Sequence, residues 1–117
     1  MLARINRVRT ASDFTHTVRS GSRSGRRNLV LYVVPTSEAD PSRFGFIVSK
    51  AVGNAVTRNL VKRRLRQMAA SALSRHPSGL AVVVRALPPA ADATWSQLAS
   101  DFDRAFDSAS SRKRGST

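Results

Sequence analysis

The 117-residue sequence has no cysteine and no long apolar run. Without cysteine the chain can form neither a disulfide framework nor a thiolate metal site or nucleophile, so nothing indicates an oxidising compartment. No apolar stretch approaches the ~18 residues that span a bilayer, and the opening stretch MLARINRVRTASDF lacks the apolar centre of a signal peptide. We therefore expect a soluble cytoplasmic protein that has no membrane partner.

Acidic residues are also scarce. Seven Asp and Glu stand against 20 Lys and Arg, which gives a formal net charge of +13. Repulsion on this scale opposes compaction and is most easily understood if a polyanion neutralises it. Most of the basic residues are Arg, whose planar guanidinium pairs with phosphate through two parallel hydrogen bonds and stacks on bases. The predicted partner is a nucleic acid, and no small-molecule substrate is expected.

Groups suited to catalysis are few. Protein ribonucleases need a general acid and base, commonly His pairs or carboxylates with a metal. The chain has only His16, on a predicted helix, and His76, in a Pro/Gly turn. The Asp residues near the C-terminus, Asp101, Asp103 and Asp107, fit the solvent side of a helix. We predict no catalytic residue and no metal ligand in the protein.

The chain length and the order of predicted helices and strands indicate one small α/β (α+β) sandwich over residues 1–109. Capping patterns start a first helix at Thr10 and a last helix at Thr94, and Gly21 ends the first. Further elements are a short edge strand within 20–27, strands at 29–34, 43–50 and 80–86, and a basic helix at 55–73. Helical spacing assigns Trp95, Phe102 and Phe106 to the core, and residues 110–117 are predicted to be a disordered basic tail.

The strands are apolar at nearly every position, so both faces of the sheet need cover. The last helix is the natural cover for one face. A groove on the other face, lined by Phe14 and by strand side chains, is where a ligand is expected. The N-terminal arginines Arg4, Arg7 and Arg9 form either an arm that orders on RNA or a solvated tail.

The basic helix within GNAVTRNLVKRRLR (residues 53–66) has two distinct sides. At 100° per residue, the side that should pack on the sheet comprises Val61, Leu65, Met68 and Ala72. The adjacent side, called here the basic face, comprises Arg58, Asn59, Lys62, Arg63 and Arg66. No acid occurs between Pro41 and Ala91, so like charges at i, i+4 repel without relief, which an ordinary solvated helix avoids. We interpret the basic face as a phosphate-binding surface.

Residues 43–67, RFGFIVSKAVGNAVTRNLVKRRLRQ, resemble the signature of the bacterial ribonuclease P protein subunit. In that family a strand ending in Ser-Lys runs through Gly-Asn-Ala-Val into an Arg-Asn helix. Asp13-Phe14 and the strand LVLY at residues 29–32 match in order, and the resemblance covers about residues 4–106. It implies the order αβββαβα and a four-stranded mixed sheet. It also implies a left-handed crossover that carries the basic helix, in a ribosomal-protein-like fold.

The resemblance also implies a function. Members bind a catalytic RNA and the 5′ leader of precursor tRNA and promote endonucleolytic removal of the leader; the RNA and its magnesium ions carry the hydrolysis, and the protein alone binds no cofactor. The residues assigned to the catalytic RNA are Lys50, Asn54, Arg58, Asn59, Lys62, Arg63 and Arg66. Those assigned to the leader, where aromatic faces would stack on bases, are Phe14, Val18, Tyr32 and Phe46.

Two positions depart from the family pattern. Leu60 stands where the family has Arg, so one RNA contact is lost or moves to Arg64, and Val18 replaces a frequent aromatic. Four of the residues assigned to the catalytic RNA or the leader also have a purely structural interpretation, which stays open. Phe14 would then be a core residue and Tyr32 a residue of the sheet. Lys50 would be an ordinary charge at a strand edge, and Asn54 an ordinary turn residue. For the whole chain, the alternatives are a ribosomal-type structural RNA-binding protein without a processing role, and a DNA-binding module.

Overall fold

The order of elements is helix, three strands, helix, strand, helix, as predicted. The computed structural model describes the backbone of residues 2–115 and the side chains of residues 2–111. The elements are α1 (Ala11–Ser20), β1 (Ser22–Gly25), β2 (Leu29–Pro35), β3 (Arg43–Ile47), α2 (Ala55–Arg75), β4 (Leu80–Ala86) and α3 (Trp95–Gly115). Short 3-10 turns lie at Arg4–Asn6, Lys50–Val52 and Pro88–Ala91. Within the described range, none of the helices is both long and apolar enough to cross a membrane.

The strands form one mixed four-stranded sheet in the spatial order β1-β2-β4-β3. β2 pairs antiparallel with both β1 and β4, whereas β3 pairs parallel with β4. Arg43 lies opposite Ala81 and Ile47 opposite Arg85 in that parallel pair. The basic helix α2 therefore connects two parallel neighbours, which confirms the predicted crossover. Its left-handed sense stays a prediction.

Alternation along the strands divides the sheet into two apolar faces. The first face packs against α2 and α3 and carries Leu29, Leu31, Val33, Phe44, Val82 and Val84. The second face carries Val30, Tyr32 and Val83 and packs against Phe14 and Val18 of α1. Helices thus cover both faces of the sheet. Strands that are apolar at nearly every position require such cover.

The sequence predicts the starts of α1 and α3 correctly because side chains cap both. Thr10 Oγ1 accepts a hydrogen bond from the amide of Asp13 at 3.1 Å. Thr94 and Gln97 form a reciprocal capping box, with bonds of 2.9 and 3.1 Å between each side chain and the other residue's amide. β3 ends at Ile47, short of the predicted Lys50, because the chain turns into the 3-10 segment there.

The core assignment of one residue at the start of α3 is wrong. Trp95 was expected in the core but is 43% exposed, because it begins α3 one turn before Leu98, the first helical residue that is fully buried on the sheet. α3 continues to Gly115, into the stretch 110–117 that was predicted to be a disordered tail, and that disorder stays a prediction. Residues 116 and 117 of the predicted tail lie outside the described residues.

Candidate nucleic-acid interface

The chain turns sharply into α2 at Gly53 and Asn54. Gly53 has φ 155° and ψ −165°, a conformation that is essentially restricted to glycine. Asn54 is the N-cap of α2, and its Oδ1 accepts a hydrogen bond from the amide of Thr57 at 2.9 Å. Asn54 therefore has a structural role that fixes where α2 begins. Its assignment to RNA stays a prediction, as does that of exposed Lys50 in the preceding turn.

The two sides of α2 lie as the helical period predicts. The residues predicted to pack, Val61, Leu65, Met68 and Ala72, are all buried. On the basic face, Asn59, Arg63 and Arg66 are exposed, and Arg58 and Lys62 are half-buried. Arg58 Nε donates to the carbonyl of Gly53 at 3.1 Å. Among residues 2–111, the ion pair present joins Arg75 to Asp103 at 3.7 Å, so the charges of the basic face are not neutralised by the protein's own acids.

Arg64 lies on a different side of α2 from the basic face. Its Nη1 donates to the carbonyl of Ala93 at 3.1 Å, which ties α2 to the segment before α3. Leu60, one turn earlier, is half-buried. Arg64 thus has a role within the fold, and whether the contact at position 60 is lost or transferred stays a prediction.

A cavity of about 180 Å³, called here the edge cavity, joins the basic face to the aromatic residues around β3. Lys62 and Arg66 line it together with Phe14 and Phe46. Gly45 makes this arrangement possible: a Cβ at that position would lie 2.6 Å from the Phe14 ring and 2.9 Å from Cβ of Val8. The missing side chain lets Phe14 pack directly on the β3 backbone.

The predicted leader residues do not form one set. Tyr32 is buried on the second face, and Phe14 and Val18 of α1 are half-buried against it. Phe46 packs instead with the core of the first face and meets Phe14 only around the edge of β3. Phe46 and Tyr32 therefore lie on different faces of the sheet, and their assignment to the leader stays a prediction. Alternation and the register place Gly45 in the row of Tyr32, since both lie opposite Val83.

A second cavity, of about 220 Å³, lies beside α1 on the second face and is called here the α1 groove. Phe14, Val18 and Arg19 line it from α1, and Ile47 and Arg85 line it from the sheet. The sequence analysis missed Ile47 and Arg85. The alternation of side chains along a strand is the signal that identifies them. Ile47 is two residues from Gly45 and Arg85 two residues from Val83, so both share the second face.

The N-terminal arginines are part of the fold rather than a solvated tail. The amide of Val8 donates to the carbonyl of Phe44 at 3.0 Å, and Arg7 pairs with Phe44 as a parallel bridge. The Arg7 side chain also donates to the carbonyl of Leu2, at 3.1 Å from Nη2. Arg4, Arg7 and Arg9 thereby meet Arg43 around a cavity of about 460 Å³, called here the arginine cavity.

These features define a class: a small basic α+β protein whose cationic helix connects parallel strands and whose sheet edge is lined with arginine. The family model for Ribonuclease P matches residues 2–110. The chain belongs to the ribonuclease P protein family.

Relatives in sequence and structure agree with this membership. The chain is 59% identical over 115 residues to the ribonuclease P protein component of Pseudarthrobacter chlorophenolicus, across 98% of this chain and 85% of that protein. It is 56% identical over 109 residues to that of Kocuria rhizophila, across 93% and 96%. A solved structure of the Staphylococcus aureus RNase P protein superposes with a TM-score of 0.78 at 31% identity, across 87% of this chain and 93% of that one.

Proposed function

We propose that this chain is the protein subunit of a ribonuclease P. It binds the catalytic RNA and the 5′ leader of precursor tRNA, and it promotes endonucleolytic removal of the leader to give the mature tRNA 5′ end. Hydrolysis belongs to the RNA subunit and its magnesium ions, and binding and positioning belong to this chain. The observation that carries the proposal, beside family membership, is a basic face that has no acidic partner within residues 2–111 and that opens into a cavity lined by Phe14.

The basic face binds the phosphates of the catalytic RNA. Arg63 and Arg66 are exposed and lack an acidic partner within residues 2–111, so they reach phosphate oxygens without first breaking an ion pair. Lys62 is half-buried and lines the edge cavity together with Phe14. Its charge is therefore available both to the catalytic RNA on the basic face and to a strand that contacts Phe14. Asn59 adds an exposed amide that can donate to phosphate or to a base edge.

The leader binds around Phe14. The ring of Phe14 lines both the edge cavity and the α1 groove, so it is accessible from two sides. Base stacking on such a ring contributes ~1–3 kcal/mol per base and tolerates any sequence. Arg19 and Arg85 flank the α1 groove and provide charge for the leader phosphates. Tyr32 is only 6% exposed, so it supports the groove from beneath rather than stacking on a base.

Reconstitution with a cognate catalytic RNA tests the proposal. At low magnesium, the wild-type protein should increase cleavage of precursor tRNA over the RNA alone. Lys62→Ala with Arg66→Ala should reduce the gain, whereas Arg104→Ala, an exposed arginine on α3, should not. An absence of any gain with the wild-type protein would refute the proposal.

Competition among leader-bearing tRNA, mature tRNA and duplex DNA separates the alternatives. The proposed subunit prefers leader-bearing tRNA. A ribosomal-type structural protein would be indifferent to the leader and would co-sediment with ribosomal subunits. A DNA-binding module would prefer the duplex at matched salt.

A further inference from the structure

The arginine cavity is lined by four arginines and one acid, Asp13, and no ion pair joins them within the described residues. Arg4, Arg9 and Arg43 line it, and none of them makes an ion pair or hydrogen bond through its side chain within residues 2–111. Arg7 is held by the carbonyl of Leu2 but retains further N–H donors. Four guanidinium groups around one concavity attract phosphate, and a single phosphate can take two parallel hydrogen bonds from one of them.

A smaller cavity of about 180 Å³ opens beside the arginine cavity and is called here the acidic pocket. Asp13, Pro41 and Arg43 line both cavities. The acidic pocket also contains Asp40 and His16, and apolar side chains from the ends of β2 and β4 form its walls. Neither the Asp13 nor the Asp40 carboxylate has a hydrogen-bond or ion-pair partner within the described residues.

The two cavities together match the two parts of a nucleotide. Carboxylates repel phosphate, so the acidic pocket is unsuited to the RNA backbone, but its oxygens accept hydrogen bonds from the donor edge of a base. The apolar walls suit the faces of a flat ring. The arginine cavity, which shares Arg43, is suited to the phosphate attached to the same nucleoside.

We propose that these cavities form a site for one unpaired RNA nucleotide, with guanine in the acidic pocket and its phosphate on the arginines. This inference rests on the proposed function, because it takes RNA as the partner. Guanine presents two adjacent donors, N1–H and the N2 amino group, which match the two oxygens of one carboxylate. Adenine and uracil place an acceptor beside their donor, and cytosine offers a single amino group for the same position. Unpaired bases expose these edges to proteins.

The nucleotide site continues the path that begins at the basic face. Arg7 lines both the edge cavity and the arginine cavity, and Val8 lines both the edge cavity and the acidic pocket. A single strand that contacts Phe14 can therefore extend around the N-terminal end of α1 to Arg43. The site adds selectivity for one base to a surface that otherwise recognises mainly phosphate and ring stacking.

Short labelled RNAs test the site with the full-length protein. Fluorescence anisotropy compares a hexauridylate with versions that carry one central guanosine, adenosine or inosine. We expect guanosine to bind roughly tenfold tighter than adenosine, and inosine, which lacks the N2 amino group, to fall between them. Equal affinities for guanosine and adenosine would overturn the site.

Three variants examine the two parts of the site. Asp40→Asn and Asp13→Asn should leave hexauridylate affinity within about twofold, and at least one should abolish the guanosine preference, because an amide cannot accept both donors. Arg43→Ala should weaken the guanosine RNA more than hexauridylate. Asp107→Asn and Arg104→Ala, exposed on α3, serve as controls, and thermal melting checks folding. A guanosine preference that survives in both Asp variants would refute the assignment.

The result is distinguishable from failure of the proposed function. If only the nucleotide site is wrong, the protein still stimulates precursor-tRNA cleavage at low magnesium and binds hexauridylate without base preference. If the proposed function is wrong, stimulation is absent whether or not guanosine is preferred.

Discussion

At the residue scale, the position of Phe14 depends on the lack of a side chain at Gly45. Gly45 has no Cβ, and the ring of Phe14 fills the space above the β3 backbone. The ring stays half-buried and lines two cavities, which a fully buried core phenylalanine could not do. Phe14 therefore both packs α1 on the sheet and lines the two cavities around which the leader is proposed to bind.

Phe14→Ala should weaken binding of leader-bearing precursor tRNA by ~1–3 kcal/mol, because one base loses its stacking partner. The measurement is the affinity of the reconstituted complex for tRNA with and without a leader. Mature tRNA should bind as it does to the wild-type complex. Equal weakening for both substrates would assign Phe14 to the fold alone.

Asp101 provides a second test at this scale. Its Oδ2 accepts hydrogen bonds from both the amide and the side chain of Asn28, at 3.0 and 2.9 Å. The prediction that Asp101 lies simply on the solvent side of its helix is therefore wrong. Asp101→Ala should lower the free energy of unfolding by about 1–3 kcal/mol, because Asn28 is buried and would lose its acceptor.

Chemical denaturation measures this change, with Asp107→Ala as the matched control on the exposed side of α3. The control should change stability by less than about 0.5 kcal/mol. Equal stability of the two variants would show that the bonds to Asn28 contribute nothing.

At the scale of the element, α2 divides its arginines between folding and binding. Arg64 donates to the carbonyl of Ala93, whereas Arg66, two residues later, is exposed and unpaired within residues 2–111. A rotation of about 200° separates the two positions on the helix, which is why neighbours in sequence have unlike surroundings. The chain therefore supplies its own matched pair of variants.

Arg64→Ala should lower the free energy of unfolding by about 1 kcal/mol and leave RNA affinity nearly unchanged in the folded protein. Arg66→Ala should leave stability within about 0.5 kcal/mol and weaken assembly with the catalytic RNA about tenfold. Thermal melting and filter binding measure the two effects. The division would be contradicted if Arg66→Ala destabilised the protein while assembling normally.

The N-cap of α2 allows a further test. Asn54→Ala removes the acceptor for the Thr57 amide and should lower the free energy of unfolding by about 1 kcal/mol. Asn54→Asp retains an acceptor and should restore most of that stability, although its charge opposes phosphate. Weaker RNA assembly in both variants, with stability lost only in the first, would assign Asn54 a contact with RNA as well.

Sequence patterns predicted what depends on local geometry. The cap at Thr10 and the period of α2 depend on residues within a few positions, so helix starts and the buried side of α2 were correct. The neighbours of Tyr32 depend instead on how β3 pairs with β4 across the whole of α2. No local signal sets that register, so the sequence did not show that Phe46 and Tyr32 lie on different faces. Arg85 was missed although its alternation with Val83 is visible in the sequence. Trp95 was assigned to the core wrongly because helical spacing shows which side of a helix is apolar, but not where along the helix its contact with the sheet begins.

At the scale of the whole molecule, charge opposes folding and favours RNA. The net charge is +13, because 20 basic residues stand against seven acidic ones. Added salt screens both the internal repulsion and the attraction to phosphate. Stability and RNA affinity should therefore respond to salt in opposite directions.

Raising sodium chloride from roughly 0.05 to 0.5 M should increase the free energy of unfolding of the free protein, because repulsion is screened. Over the same range, affinity for RNA should fall with a slope of roughly −3.5 to −4.5 in log K against log salt, if five phosphates are contacted. Denaturation and binding titrations at matched salt measure both. A flat binding curve would rule out a phosphate-dominated interface.

The position of β4 in the sheet has a consequence for how the chain is made. β2 and β3 are not paired with each other; each pairs with β4, which follows α2 in sequence. On the ribosome, α2 therefore emerges before the strand that completes the sheet beneath it. A nascent chain that has reached only Arg75 carries the full cationic helix on an unfinished sheet. Translation of β4 is the event that fixes this helix in place and completes the surface offered to RNA.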